Sequence, residues 1–362
     1  SVIASVCGNS IDILLTYLAA IDLGGIVVPV NPSSKQCKSF EFEVFFFFDE
    51  IENYLTTCNV QYVLTESHYA KRITGILHQC KHSSISMILL EELSEAEHGE
   101  QQLQAEAEVS LQLSIGDTAF IFFSSGTTGP PKPIRHSHRS LLAHLCQLSS
   151  IMDVNSTTYP FPLCHVGDII HGVLPYFHAG GLITIFCMLF QGATVVINRK
   201  WNQERFLRVI QEYKITTINI VPPILEFLVK HPLVNFFDLS SLRTVYVGAA
   251  KSDENLLRCL KHRLPGLQDI IQLFGMTETG MLIFVTPSAN SILSSVGRAM
   301  PGVKAKVNPY EIEEAIKLNV AGVSECVVIA VDDETDGQRP KAFIVGQVDP
   351  NDVIEFVRGM GT

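Results

Sequence analysis

Ser124-Ser125-Gly126-Thr127-Thr128-Gly129-Pro130-Pro131-Lys132 has the composition of a loop that holds the phosphates of a nucleotide. Two glycines let the backbone come close to an anion, consecutive hydroxyls and exposed amides supply donors, and Lys132 adds a compact positive charge. Ahead of it, Ala119-Phe120-Ile121-Phe122-Phe123 is a short apolar run of the kind a buried strand shows. Behind it, Ser140 precedes Leu141, Leu142, Leu145, Cys146 and Leu148 at helical spacing. The loop is therefore expected between a strand and a helix. A plain surface turn shares the composition. A kinase- or GTPase-type loop needs Gly-Lys followed at once by Ser or Thr, and Pro133 follows Lys132 instead.

The elements that must hold this loop alternate in type. Strand-like runs at 62–65, 87–90, 119–123, 194–197, 218–221 and 244–247 are separated by helical stretches such as 204–213 and 254–261, which argues for an α/β architecture with largely parallel sheets. Ligands of such sheets sit beyond the carboxyl ends of strands. The loop at 124–132, Gly248 to Ala250, and the turn from Gly275 to Glu278 all fall at such ends, so three segments converge on one expected cleft. Residues 91–108 read as a solvated connector. A smaller unit opens near Asn308, with Pro309 at the first helical position, Glu311 three residues after the cap, and Ile312 with Ile316 on one face. Strands at 325–331 and 341–345 follow it.

Composition narrows the classes. With 362 residues and 47% hydrophobic content the chain can bury a sizeable core. A net charge of −11 without a long basic run argues against a nucleic-acid partner. Nine cysteines, an odd number with no Cys-x-x-Cys pair, suit a reducing compartment and buried thiols better than a disulfide framework. His136, His138 and His144 lack the Cys or acidic partners of a zinc site and read as core or solvated histidines. Residues 179–197 are largely apolar but interrupted by Gln191 and glycines, so a buried α/β segment is expected there and no membrane span. No signal peptide precedes the first strand-like run and no peroxisomal tripeptide ends the chain. These features lead to an intracellular expectation, cytoplasm or peroxisome.

Taken in order, the motifs resemble the adenylate-forming enzymes: acyl-CoA synthetases, 4-coumarate-CoA ligases, luciferases and peptide-synthetase adenylation domains. The loop at 124–132 resembles their signature loop, and residues 18–32 their early helix-to-strand segment. Leu174-Pro175-Tyr176-Phe177-His178-Ala179-Gly180-Gly181-Leu182 resembles their acyl-pocket histidine motif. Val221-Pro222-Pro223, Val247-Gly248-Ala249-Ala250, Phe274-Gly275-Met276-Thr277-Glu278-Thr279-Gly280 and Ser295-Val296-Gly297-Arg298 follow in place. The resemblance implies a large adenylation core over 1–307, with a truncated N-terminus, and a small incomplete α+β C-terminal domain over 308–362.

It implies an acid-thiol ligase that activates a carboxylic acid with ATP and Mg2+, releases pyrophosphate and passes the acyl group to coenzyme A. Ser124, Ser125, Gly126, Thr127, Thr128, Gly129 and Lys132 would hold the triphosphate. Thr277 would touch the α-phosphate, and Glu278 with Thr128 would place Mg2+. Gly248, Ala249, Ala250, Phe274 and Gly275 would border the adenosine, and His178 the acyl channel, unless it is a hydrogen-bonded core histidine.

The chain also departs from that pattern. Val307 runs straight into Asn308, where the family carries a hinge and the aspartate and arginine that hold the ribose. It stops before the Gly-Lys motif whose lysine enters the site, a charge worth about 10^2 to 10^3 in rate. Phe45-Phe46-Phe47-Phe48 has no counterpart. Two further readings stay open: a catalytically silent nucleotide-binding module, and a luciferase-like oxidase of an adenylate. For the chain as it stands, weak ATP binding and little turnover are expected.

Overall fold

A computed structural model describes residues 1–34, 36–38, 47–79, 84–96, 113–124, 131–151, 166–250, 252–287, 293, 295–304, 309–333 and 337–360. The chain opens with a parallel β-α-β unit of β1 (Val2–Val6), α1 (Ile11–Asp22) and β2 (Ile26–Pro29). Ser10 caps α1 by accepting a hydrogen bond from the Ile13 amide at 3.1 Å, and Ile13, Leu14 and Tyr17 form its buried face. A short antiparallel ladder of β3 (Gln36–Lys38) and β4 (Phe47–Asp49) leads into α2 (Glu50–Thr57). Next come β5 (Tyr62–Thr65), α3 (Ser67–Gln79), β6 (Ser86–Leu89) and α4 (Leu90–Ala96). With β7 (Thr118–Ser124) and β8 (Lys132–Ser137), the first sheet runs β6-β5-β1-β2-β7-β8 and is parallel except for the last pair.

That last pair corrects one expectation. The loop after β7 does not lead directly into a helix: β8 returns antiparallel beside β7, and only then does α5 (His138–Ile151) begin. Pro133 lacks an amide hydrogen and keeps Lys132 out of the helical region, so the chain leaves the loop extended, with His136 turned into the core. The connector expected at 91–108 is also corrected in its first part. Residues 90–96 are helical, Glu91 and Glu92 complement the positive end of the helix, and Glu91 accepts from the Ser67 amide at 3.0 Å. The rest of that stretch, Phe45 and Phe46 of the phenylalanine run, and the 307–308 junction lie outside the described residues.

The second sheet is built from β9 (Ile169–Gly172), α6 (Ala179–Phe190), β10 (Thr194–Ile197), α7 (Gln203–Tyr213), β11 (Thr217–Ile220), α8 (Pro222–Lys230), β12 (Thr244–Val247), α9 (Glu254–Arg263), β13 (Asp269–Met276), β14 (Met281–Val285) and β15 (Arg298–Ala299). Its order is β10-β9-β11-β12-β13-β14-β15, parallel through β13 and antiparallel beyond. One core joins α1, α5 and α6 to inward residues of both sheets, including Phe120, Phe122, Leu182, Ile170 and Ile271. These three helices thus form the middle layer. α2 and α3 cover the far face of the first sheet, and α7, α8 and α9 that of the second. The strands buried on both sides read as continuous apolar runs for that reason.

A small α+β unit follows, in which α10 (Pro309–Asn319) and α11 (Pro350–Met360) pack on a hairpin of β16 (Val323–Asp333) and β17 (Gly337–Gly346). Its core is Ile312, Ile316, Val320, Cys326, Val328 and Val353. The strand expectations at 325–331 and 341–345 fall inside longer strands. Residues 179–197 form a helix buried along most of its length but exposed at Leu189 and Phe190, then a strand that is only half-buried, and no helix among the described residues is long and apolar enough to cross a membrane.

Candidate active site

The ends of β7, β12 and β13 and the start of α6 carry the motif residues. Ser124 ends β7, nearly buried, directly across from Lys132 at the start of β8, where the ammonium-bearing side chain is exposed. The turn between them, with Ser125, Gly126, Thr127, Thr128, Gly129 and Pro130, lies outside the described residues. Its two ends are nonetheless a hydrogen-bonded strand pair, so the loop opens and closes at one point of the sheet edge.

Beyond β13, residues Thr277–Thr279 form a single 3-10 turn packed on β7. Thr279 ties this turn, its hydroxyl accepting from the Met276 amide at 3.3 Å and donating to the Met276 carbonyl at 3.0 Å. Glu278 is exposed and Thr277 half-buried. Gly275 is required by crowding: a side chain there would overlap the Met281 carbonyl of the facing strand. Phe274 is 43% exposed at the strand end, with its ring 5.9 Å from Phe284. At β12, Gly248 donates to the Ile220 carbonyl at 3.2 Å, and a Cβ on it would crowd Leu273. Ala249 follows in the left-handed region at φ 72, leaving Ala249 and Ala250 exposed beside β13.

His178 occupies the N-cap of α6, its carbonyl accepting from the Gly181 and Leu182 amides at 3.0 Å. The ring is exposed to solvent, yet surrounding protein desolvates it enough to hold its pKa below the usual histidine range. The α6 N-terminus approaches β14, where a Cβ added at Gly180 would stand 3.9 Å from the Met281 sulfur. The histidine motif, the Thr277–Thr279 turn and β7 are therefore neighbours.

Sequence reasoning passed over one member of this cluster. His136 on β8 is 2% exposed, stands edge-on to Phe122 at 5.5 Å, and lies against Thr277 and Gly280. Burial holds its pKa down, opposed by the Thr277 backbone and the Glu278 charge, and its Nε2 has no hydrogen-bond partner among the described residues. The core reading of His136 and His144 is thus correct, while His138 is half-buried. Only the alternation Ile134, His136 after Pro133 could have signalled that His136 faces the Glu278 turn. Among the described residues no group of three His, Cys, Asp or Glu side chains could hold a metal ion. A separate groove lined by Leu18, Ala19, Asp22, Ile115 and His138 contains none of the expected nucleotide-, metal- or acid-binding residues.

Comparisons with known proteins bear on the family and the fold. The family model described as AMP-binding enzyme matches residues 1–322, and that of the AMP-binding enzyme C-terminal domain matches 311–360. A probable 4-coumarate-CoA ligase 3 of Dictyostelium discoideum is 38% identical over 207 residues, 57% of this chain and 36% of the relative. 4-Coumarate-CoA ligase 1 of Petroselinum crispum is 28% identical over 337 residues, 92% of this chain and 55% of the relative. The chain therefore spans only about a third to about half the length of these curated relatives. Among solved structures, ATP-bound MatB from Rhodopseudomonas palustris superposes with a TM-score of 0.65 at 18% identity, covering 99% of this chain and 82% of that one, a likeness of fold. With its motifs gathered at these strand ends and the family model matched over most of its length, the chain belongs to the AMP-binding enzyme family, among the relatives of 4-coumarate-CoA ligases and acyl-CoA synthetases.

Proposed function

We propose that the protein is an acid-thiol ligase that activates a carboxylic acid with ATP, releasing pyrophosphate, and transfers the acyl group from the adenylate to coenzyme A. The observation that carries this reading is the packing of the Thr277–Thr279 turn on β7, with Lys132 at one end of the hydroxyl- and glycine-rich loop and the His178 helix adjoining through Gly180. A carboxylate oxygen must attack the α-phosphorus while the bond to pyrophosphate breaks, so negative charge grows on the leaving group. Fixed cations and donors aimed there lower that barrier.

In this reading Lys132 and the loop at 124–129 hold the β- and γ-phosphates, and Thr277 hydrogen-bonds the α-phosphate. Gly248, Ala249, Ala250, Phe274 and Gly275 leave a flat slot for adenine, the exposed Phe274 ring offering one face. The residues fit Mg2+, which takes one or two carboxylates plus phosphate oxygens: Glu278 is an exposed carboxylate on the turn packed on β7, and Thr128 would supply a hydroxyl. When bound, the ion neutralises phosphate charge. His178, kept neutral by its surroundings, borders the acid and does not compete for its charge. The proposed division is an adenylation core over 1–307 and a C-terminal unit over 308–362.

Acid-dependent exchange of labelled pyrophosphate into ATP, run over fatty, aromatic and amino acids, tests this. Exchange with at least one acid, followed by a CoA thioester, is expected; ATP binding without exchange for any acid overturns it. The direct junction of Val307 with Asn308, lacking the expected ribose-holding turn, favours a second reading as a nucleotide-binding module without turnover, and that same outcome would support it.

A further inference from the structure

We infer that Asn9 is a positioning residue for the acid: its side-chain amide clamps the 174–178 segment of the second sheet to the first sheet and so sets where His178 stands. This rests on the reading of His178 as the acyl-channel wall. Asn9 follows β1 and is 7% exposed. Its Nδ2 donates to the Leu174 carbonyl at 2.8 Å, and its Oδ1 accepts from the Tyr176 amide at 3.0 Å. A primary amide is the one short side chain that offers a donor and an acceptor side by side, so it can satisfy both backbone groups of an irregular segment at once. Left unpaired, two buried backbone groups would each carry a desolvation penalty.

Both sides of the clamp are rigid. On the first sheet, the Gly8 amide donates to Glu66 Oε2 at 2.7 Å, Arg199 pairs with the other oxygen of that carboxylate, and Ser10 caps α1. On the second sheet, the His178 amide donates to the Pro175 carbonyl at 3.3 Å. Gly181 packs so tightly on Pro175 that any Cβ there would overlap its carbonyl. A shift of Leu174 or Tyr176 therefore moves Pro175, and with it the first turn of α6 and the His178 ring. Among the described residues, the Thr277–Thr279 turn has no hydrogen bond to Asn9. Its influence should accordingly fall on the acid and not on the nucleotide.

The test replaces Asn9 by aspartate, which keeps shape and the acceptor but, ionised, cannot donate to Leu174. Binding of AMP and of two non-hydrolysable acyl-sulfamoyl adenosines, one alkanoyl and one 4-hydroxycinnamoyl, is measured by calorimetry on the full chain for wild type, Asn9→Asp, His178→Ala and the double variant. If Asn9→Asp does not fold, Asn9→Ser, which loses the paired geometry, takes its place. The expected result is about tenfold weaker binding of the acyl analogues with AMP affinity held within about twofold, the loss of one buried hydrogen bond. The double variant should lose less than the product of the single losses, since both act through one segment. Equal weakening of AMP and the acyl analogues would mark Asn9 as a structural residue only and overturn the inference. Unchanged acyl affinity in the Asn9 variant, with a loss in His178→Ala, would overturn the inference and leave the channel intact. No change in either variant, or no wild-type preference for acyl analogues over AMP, would overturn the channel reading and the inference with it.

Discussion

Lys132 and Glu278 bring opposite charges to one end of the first sheet, one on β8 and the other on a turn packed against β7. Neither is engaged in a salt bridge found among the described residues; in the proposed reading the cation serves phosphate and the carboxylate a metal ion. Replacing Lys132 by alanine or Glu278 by glutamine should each lower acid-dependent pyrophosphate exchange by at least about tenfold, with the folded state retained because both side chains are exposed. Unchanged exchange in both variants would remove them from the site. His178→Ala should change the KM for the acid, or the preference among acids, more than the KM for ATP; a selective loss of ATP affinity would argue against the channel. Residue types and motif order made Lys132, Glu278 and His178 legible in the sequence. Asn9 was not, because Gly8-Asn9-Ser10 reads only as a turn and a helix cap, and its partners stand more than 160 positions away.

Elements decide how closely these residues approach. Gly275 lies in β13 where the Met281 carbonyl of β14 crosses it, and Gly181 lies in α6 against Pro175. Neither contact can be relieved by a rotamer change, since backbone atoms are involved on both sides. Gly275→Ala and Gly181→Ala should each destabilise the fold by about 2 kcal/mol or more, read as a lower denaturant midpoint at unchanged slope. A midpoint equal to wild type would mean that β14 or the 174–178 segment yields freely. The β-hairpin of β7 and β8 shows the limit of local reading. The apolar run at 119–123 announces a strand, but Lys132-Pro133-Ile134-Arg135-His136-Ser137 is mixed in polarity and β-propensity, and it becomes a strand because β7 presents an unpaired edge and Pro133 bars a helix.

At the scale of the whole molecule, the two sheets and their shared middle helices desolvate several histidines. His171 on β9 stacks on Phe206 with ring centroids 4.9 Å apart, has no hydrogen-bond partner at either nitrogen among the described residues, and is pushed by burial from 6.5 to about 4. His136, His144 and His178 shift the same way for the same first cause. Between these pH values the unfolded chain binds more protons than the folded one. Stability should be full above about pH 6.5 and decline as pH falls toward about 4, His171 alone accounting for on the order of 3 kcal/mol. Denaturant unfolding at a series of pH values checks this, and His171→Phe, which preserves the stack, should flatten the decline; an unaltered slope in that variant would refute the assignment. The sequence alone determined the alternation of strands and helices, the separate C-terminal unit and the identity of the motif residues, because apolar periodicity and glycine, hydroxyl and charge spacing are local properties. Only the tertiary structure decided that His136 turns in toward the Glu278 turn, that Gly180 meets Met281, and that one asparagine amide joins the two sheets behind His178. Those contacts pair residues distant in the chain, and their positions are set by sheet order and layer packing, which local spacing does not encode.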